Sequence, residues 1–321
     1  MLAGGVFGLA LATKWSGLLA LAAAGLLALG WELAWRRRLT GRTWVGVGSL
    51  VGSLAVAFVV VPAVVYIVSY LPWVANYAYT TEGAQVCAVD GQPQEPCDVP
   101  VLGRIAGFVR YQGSVASYHA NLEAEHSYEA PAYTWPIMGR PIPYYYESCP
   151  EERAEGTPTP NEQGQLETPA PCAVAEERYA EILALGNPGL WWVALAALLP
   201  LAIGVFQRDR RAWYIVMFWA VQFLPWLLVP RPGFFFYMVP VVPFLALAIA
   251  YALTWMDEVA ERRRRGRRRL MGTIGATPGA LTGALIAVAA VSLFVYFYPI
   301  LSGMELPYEA IRHRWWFRAW I

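Results

Sequence analysis

The sequence predicts an all-α protein that crosses a membrane several times, and three observations indicate this fold class. Of the 321 residues, 57% are hydrophobic and only 15% are charged, whereas soluble domains are about a quarter charged. Apolar runs close to the 20 or so residues that a spanning helix needs recur along the chain. Arginine clusters separate several of these runs. Because backbone polar groups must be satisfied within lipid, helices are the expected form of the runs.

Six apolar runs are long enough to be spans, and a shorter one, residues 1–13, precedes them. The predicted spans are 15–35, 44–70, 189–206, 212–230, 233–255 and 273–300. The first 13 residues are too short to span alone, and they lack the basic start and cleavage site of a signal peptide. We therefore expect further chain upstream of Met1.

The arginine clusters predict the orientation of the spans. They read WRRRLTGR at 35–42, QRDRR at 207–211 and ERRRRGRRR at 261–269. The positive-inside rule places all three clusters on the cytoplasmic side. A single orientation of the predicted spans across the cell membrane puts all three there. For the last cluster, at 261–269, we favour this interpretation over a nucleic-acid patch. The predicted regions are membrane helices with an incomplete first helix (1–70), an exterior loop (71–188), four helices (189–300) and an exterior tail (301–321).

The cysteines agree with this orientation. Cys87, Cys97, Cys149 and Cys172 all lie in the segment predicted to be exterior, so an even count faces an oxidising compartment and predicts two disulfides. Three pairings are open, of which we favour the local pairs Cys87–Cys97 and Cys149–Cys172. We expect no metal site, because no CxxC spacing occurs and the histidines are not near the cysteines.

Within the exterior loop, one stretch has helical periodicity. Its apolar and polar members recur at steps of three and four and form one face. They are Ile105, Phe108, Gln112, Val115, His119, Leu122 and His126. The pattern predicts a helix in the headgroup region, with His119 and His126 sharing a face either as packing residues or as site residues. After Pro131 the chain turns aromatic, and Tyr144–Tyr146 favour an interfacial belt over a binding box.

Five ordered motifs carry a family resemblance. They are GLALATKWSG (8–17), the stretch YHANLEAEHSYEAPAYTWPIMGRPIPYYY (118–146), GNPGLWW (186–192), RPGFFFYMVPVVPFLALAIAYAL (231–253) and the terminal RWWFRAWI. In this order they resemble the protein O-mannosyltransferase family, above all its actinobacterial members. The resemblance implies a GT-C fold that passes mannose from a polyprenyl-phosphate donor to Ser/Thr hydroxyls of secreted proteins by an inverting displacement. It also makes 189–300 the family's C-terminal four-helix region.

The donor's phosphate needs cations near the membrane surface. Arg231, in a turn between Pro230 and Pro232 at the predicted exterior end of a span, is the first candidate. Arg140 occupies the family's Arg-Pro position. Lys14, the only lysine, lies in the family-like TKWSG, although a snorkelling lysine beside an interfacial tryptophan is the alternative. The resemblance adds four further substrate-binding candidates: His119, His126, Tyr128 and Trp135.

Two departures from the family qualify the resemblance. Ala130 stands where the family usually has serine. The family's catalytic Asp-Glu pair belongs to an earlier exterior loop, so we expect no catalytic residue after Met1. The resemblance implies no tightly bound cofactor and leaves the metal requirement open. It implies Ser/Thr-rich acceptor proteins, with the secretion translocon as a candidate partner.

Three alternatives stay open at this stage. One is another GT-C enzyme that transfers a polyprenyl-phosphate sugar to lipid or polysaccharide. A second, from a different class, is a transporter or non-catalytic membrane scaffold, although no internal repeat is evident. A third is a remnant that does not function without an N-terminal half. Independently of these, Asn187 before Pro188 is expected to cap the helix that follows.

Overall fold

The computed structural model describes ten stretches of the chain: 1–41, 46–89, 92–93, 97–122, 126–149, 159–160, 166–167, 177–229, 232–266 and 276–320. Most of these residues are helical, and they divide into two compact units, 1–124 and 125–321. Among them, five helices are long and apolar enough to cross a membrane: Gly17–Leu39, Val47–Ser69, Pro188–Phe206, Phe235–Arg263 and Pro278–Ser302. The predicted all-α, multi-span class is confirmed.

The first unit opens with apolar helices. Their bounds are α1 Leu2–Thr13, α2 Gly17–Thr40, α3 Val47–Ala55 and α4 Val61–Ser69. A π-helical turn, Val56–Val60, joins α3 to α4 into one rod. Pro62 explains the turn, because proline lacks the N–H that would continue the α-helical ladder and crowds the carbonyl four residues before it. Glycines at positions 4 and 8 let α1 approach this rod closely.

The rest of the first unit is a set of short elements and one long helix. They are α5 Leu71–Ala75, a 3₁₀ turn Tyr77–Tyr79, α6 Thr81–Cys87, the hairpin strands β1 Ala88–Val89 and β2 Gln92–Pro93, and α7 Val101–Ala120. The Cys87–Cys97 disulfide closes this region, with the two Cα atoms 5.7 Å apart, and confirms the predicted local pair.

The predicted amphipathic helix is shorter than the sequence pattern suggested. It ends at Ala120, so His119 lies on its last turn while His126 lies beyond it, in the second unit. The prediction that the two histidines share one helical face is therefore wrong. The helix ends at Asn121, which leaves helical geometry at φ −114° and ψ 17° and whose side-chain amide donates to the Ser117 carbonyl at 2.8 Å, a local bond of the kind by which asparagine favours helix ends.

The second unit is built on four helices and a short terminal one. They are α8 Pro188–Phe206, α9 Arg210–Phe223, α10 Val242–Gly266, α11 Pro278–Ser302 and α12 Tyr308–Arg312. As predicted, Asn187 caps α8, its Oδ1 accepting from the Gly189 amide at 3.0 Å. Its Nδ2 also donates to the Ala290 carbonyl at 2.8 Å, which ties α8 to α11.

The span predicted at 212–230 takes a different form. The α-helix α9 has 14 residues and gives way to a 3₁₀ turn, Leu224–Leu227. Pro225 lacks the amide hydrogen that would extend the α-helical ladder, which explains the change. With a rise of about 1.5 Å per α-helical residue and about 2.0 Å per 3₁₀ residue, α9 and the 3₁₀ turn together are about 29 Å long. This length is close to the thickness of the hydrocarbon core of a bilayer. A membrane span here stays a prediction.

A small antiparallel sheet in the second unit was not predicted. Its strands are β3 Pro143–Ser148, β6 Arg178–Leu183 and β7 Leu306–Pro307, in the order β3-β6-β7. A separate two-stranded pair is formed by β4 Thr159–Pro160 and β5 Leu166–Glu167. The tyrosines 144–146 lie on β3, so this aromatic stretch forms a strand of the sheet. Their side chains are exposed.

Candidate functional site

The predicted site segment 126–140 is held against the loop that leads into α10. The amide of Ala130 donates to the Gly233 carbonyl at 2.9 Å. Trp135, only 1% exposed, lies at the centre of the join and donates from Nε1 to the Ala130 carbonyl at 2.9 Å. Its ring lies 5.8 Å from that of Tyr237 and 5.9 Å from that of Trp226. The buried Trp135 thus packs the segment 126–140 against the residues before α10.

Arg140 is the half-buried cation of this segment. Its guanidinium carbon lies 5.8 Å from the centre of the Tyr128 ring, a cation–π distance. Its Nε is buried and has no hydrogen-bond partner among the described residues. A buried donor without an acceptor costs about 1–3 kcal/mol, so an orphaned guanidinium N–H is a feature that an anionic ligand would satisfy.

The backbone just before Arg140 is held in an uncommon conformation. Met138, fully buried, has φ 56° and ψ 45°, in the left-handed region that rarely accommodates a residue other than glycine, asparagine or aspartate. Its carbonyl accepts from Nε1 of Trp320 at 2.8 Å, and Trp320 is itself 1% exposed. The terminal RWWFRAWI motif therefore positions the turn that presents Arg140. Sequence reasoning used this motif for the resemblance but missed this role.

His126 and Tyr128 lie beside this cation on a surface loop. The amide of Tyr128 donates to Nδ1 of His126 at 3.1 Å, which orients the imidazole. The imidazole also meets the ring of Phe234 edge-on at 5.1 Å, and Phe234 stacks on Phe236 at 5.6 Å. The structure thus brings His126, Tyr128 and Arg140 together with an aromatic loop, a combination suited to a sugar phosphate.

The remaining cationic and imidazole candidates are placed differently. Lys14 is exposed at the junction of α1 and α2, and His119 is exposed at the end of α7; both belong to the first unit. Arg231 lies outside the described residues, two positions before Gly233. The roles of all three stay predictions.

Trp15, the residue after Lys14, belongs to a chain of hydrogen bonds. Trp15 donates from Nε1 to the hydroxyl of Tyr66 at 2.9 Å, and that hydroxyl donates to Oε1 of Gln112 at 2.6 Å. Nε2 of Gln112 is buried without a hydrogen-bond partner in the described parts of the chain. The TKWSG motif is thereby tied to α4 and α7 within the first unit.

One residue of the second predicted disulfide, Cys149, belongs to the described stretches. Cys149 is 2% exposed and disulfide-bonded. Cys172, its predicted partner, lies outside the described residues. The described stretches contain no group of three or more His, Cys, Asp or Glu side chains placed to hold a metal ion.

Glu181 on β6 was also missed by sequence reasoning. It is 3% exposed, and Oε2 accepts from Nε1 of Trp315 at 3.0 Å. Burial raises the pKa of this carboxyl to about 7, although the bond from Trp315 acts in the opposite direction. Burial on the strand, which the sequence does not reveal, is what distinguishes Glu181 from an ordinary solvent-facing glutamate.

Comparison with known families matches most of α7 and nearly the whole of the second unit. The family model described as the C-terminal four TMM region of protein-O-mannosyltransferase matches residues 104–320. The chain belongs to the protein O-mannosyltransferase family. The matched region contains Arg140, its aromatic neighbours and Trp320.

Similar proteins come from actinobacteria and yeast. The polyprenol-phosphate-mannose–protein mannosyltransferase of Corynebacterium glutamicum is 29% identical over 329 residues, covering 98% of this chain and 56% of that protein. The protein of the same name from Mycobacterium tuberculosis H37Rv is 27% identical, covering 99% of this chain and 56% of its own length. The chain thus spans about half the length of these relatives. The Saccharomyces cerevisiae Pmt1-Pmt2 complex bound to the sugar donor matches 73% of this chain and 29% of its own, with 19% identity and a TM-score of 0.49.

Proposed function

We propose that this protein takes part in protein O-mannosylation, moving mannose from a polyprenyl-phosphate-mannose donor to Ser/Thr hydroxyls of secreted or membrane proteins. The observation that carries the proposal is Arg140, which lies in the family-matched region and whose buried Nε has no hydrogen-bond partner among the described residues. The names of the relatives supply the donor and the acceptor class. The family membership also supports the GT-C fold type as part of the proposal.

The chemistry assigns a role to each element of the site. As mannose leaves, negative charge stays on the lipid phosphate, and a guanidinium is suited to bind it with directed N–H donors. Tyr128 offers an aromatic face beside Arg140, and Phe234 offers another beside His126; both suit one face of a sugar ring. His126, oriented by the Tyr128 amide, is placed to donate to or accept from a sugar or acceptor hydroxyl.

Further donor-binding roles are proposed for Arg231, Lys14 and His119. Arg231 is close in sequence to Gly233, which accepts the backbone bond from Ala130. Lys14 adjoins Trp15, whose bond to Tyr66 anchors the junction of the first two helices. His119 is exposed on the last turn of α7 and is assigned to acceptor or phosphate contacts.

The proposed topology puts the loop 71–188 and the tail 301–321 on the exterior face of the cell membrane. The Cys87–Cys97 disulfide supports this, because disulfides persist on oxidising faces. The exposed apolar side chains of Val101, Leu102, Ile105 and Val109 on α7 support a helix that lies at the lipid surface. Ser/Thr-rich acceptors would reach this face during secretion, which makes the translocon a candidate partner.

The test is donor binding to the purified chain, with Arg140→Gln as the key variant. Losing a charge-assisted hydrogen bond should weaken the affinity for polyprenyl-phosphate-mannose by about ten-fold or more. Arg140→Lys should recover only part of this, because lysine lacks the planar fork. Arg312→Gln is the matched control, since this arginine is exposed and pairs with Glu309 at 3.4 Å. Equal affinities of the Arg140→Gln and Arg312→Gln chains would contradict the assignment.

A further inference from the structure

A cavity of about 310 Å³ lies within the helices of the second unit, between α8, α9 and α10. Its walls are aliphatic and aromatic throughout, among them Leu201, Val205, Val216, Trp219 and Leu245. This volume is at the lower end of sites that take small ligands. An apolar cavity at the level of the membrane spans is suited to a hydrocarbon chain and offers no partner to a polar ligand.

The cavity reaches the end of α8 where the chain enters the arginine-rich loop. Val205 and Phe206 line it, and Phe206 is 87% exposed. Two residues later, Arg208 adopts φ 61°, and its amide donates to the Val205 carbonyl at 3.0 Å. The Asp209 amide donates back to the Gly204 carbonyl at 2.9 Å, so Arg208 occupies the left-handed position that closes a helix. Glycine is the usual residue at this position, because a side chain is strained there.

The guanidinium of Arg208 is exposed, and within the described residues it makes no side-chain hydrogen bond or ion pair. The neighbouring carboxylate is already engaged: Asp209 accepts from Arg211 at 2.8 Å and from the Tyr251 hydroxyl at 3.2 Å. The hydrogen bond from Arg211 also holds the pKa of Asp209 below its usual range. Among the described residues, a cation without an ion-pair partner thus follows two positions after Phe206, which lines the end of a hydrocarbon-lined cavity.

We infer that this cavity and Arg208 together form a binding site for an anionic phospholipid, with an acyl chain between α8, α9 and α10 and the headgroup phosphate on the guanidinium. The charge at the mouth selects the headgroup, and the apolar walls accept the chain. Basic residues at the end of a membrane cavity are a recurrent feature of sites for anionic lipid headgroups. The site is independent of the mannosyl-transfer proposal, because it shares no residue with the Arg140 region.

The experiment is native mass spectrometry of the purified chain titrated with dioleoyl phosphatidylglycerol or, separately, dioleoyl phosphatidylcholine. The wild-type chain should retain the anionic lipid in preference to the zwitterionic one. Arg208→Ala should reduce that preference by about five-fold, the effect of one basic residue at a membrane surface. Ala202→Phe, which places a ring in the cavity, should lower the retention of both lipids; Ala202→Leu serves if the larger side chain prevents folding.

Two control variants separate this site from general lipid contact. Arg263→Ala removes an exposed arginine further along α10, and Ala287→Phe adds a ring on an exposed position of α11. Both should bind lipid as the wild type does. The inference is overturned if the wild type shows no headgroup preference, if Arg208→Ala and Arg263→Ala act equally, or if the cavity-filling chain retains as much lipid as Ala287→Phe. A different occupant of the cavity, such as a further helix or a second copy, would produce the last of these results.

Discussion

Replacing Glu181 by glutamine should stabilise the protein at neutral and alkaline pH. The carboxyl is 3% exposed, and burial raises its pKa to about 7 from an ordinary value of 4.5. A shift of one unit corresponds to 1.36 kcal/mol, so keeping this group ionised in the folded protein costs about 3 kcal/mol. Glutamine retains an oxygen that can accept from Nε1 of Trp315 and never ionises, so the substitution removes this cost.

The pH dependence follows from the direction of the shift. Below about pH 4.5 the carboxyl is protonated in the folded and the unfolded chain, and glutamine gives no advantage. As the pH rises towards 7, the unfolded chain releases this proton before the folded chain does, so the wild type loses stability. Above pH 7 the loss is complete. The advantage of Glu181→Gln should therefore grow between pH 4.5 and 7 and then level off.

The assay is thermal unfolding of the detergent-purified chain, followed by tryptophan fluorescence from pH 5 to 8.5. A gain of about 3 kcal/mol corresponds to a rise in Tm of roughly 6–12 °C for a unit of this size. Glu309→Gln is the control, because Glu309 is exposed and its pair with Arg312 is of the weak surface type. A pH-independent effect of Glu181→Gln, or a lower Tm at pH 8, would show that ionisation of the buried Glu181 carboxyl does not destabilise the folded protein.

Three further predictions concern the framework of the site. Trp320→Phe should leave the buried Met138 carbonyl without its donor, lowering stability by about 1–3 kcal/mol and weakening donor binding; unchanged calorimetry and affinity would contradict this. Asn187→Ala should cost about 0.5–2 kcal/mol from the helix cap alone, measured as a fall in Tm, and an unchanged Tm would refute the capping role. Replacing both Cys87 and Cys97 by serine should cost about 3 kcal/mol, measured by denaturant unfolding; a wild-type denaturation midpoint in the serine chain would argue against it.

The sequence predicted the helices and the local disulfide well, because both depend on short-range features. An apolar run of suitable length has few alternatives to a helix in lipid, and the five candidate spans overlap predicted ones. The Cys87–Cys97 pair is separated by only 10 positions. The end of α7 was misjudged because Leu122 and His126 continue the helical periodicity, while the amide of Asn121 bonds locally to Ser117. Asparagine favours helix ends, and the periodic pattern does not register this preference.

The contacts that shape the site could not be predicted, since they join distant positions. Trp320 reaches Met138 across 182 residues, and Trp315 reaches Glu181 across 134. The sheet was missed for the same reason, because its central strand pairs with a two-residue strand near the C-terminus. Arg140, Tyr128 and Trp135 were proposed from the resemblance and lie in one segment of the structure. Their roles in binding the donor stay predictions.

The linkage of the product would test the proposed mannosyl transfer. Membranes containing the chain extended by the upstream segment that is expected to carry the Asp-Glu pair would be incubated with polyprenyl-phosphate-mannose and a Ser/Thr-rich peptide, and the glycopeptide would be analysed by NMR. An inverting displacement from a β-linked donor predicts one α-linked mannose on a Ser or Thr oxygen, with the yield strongly reduced by Arg140→Gln and unaffected by Arg312→Gln. A β-linked product, transfer to lipid instead of peptide, or a yield insensitive to Arg140 would contradict the account.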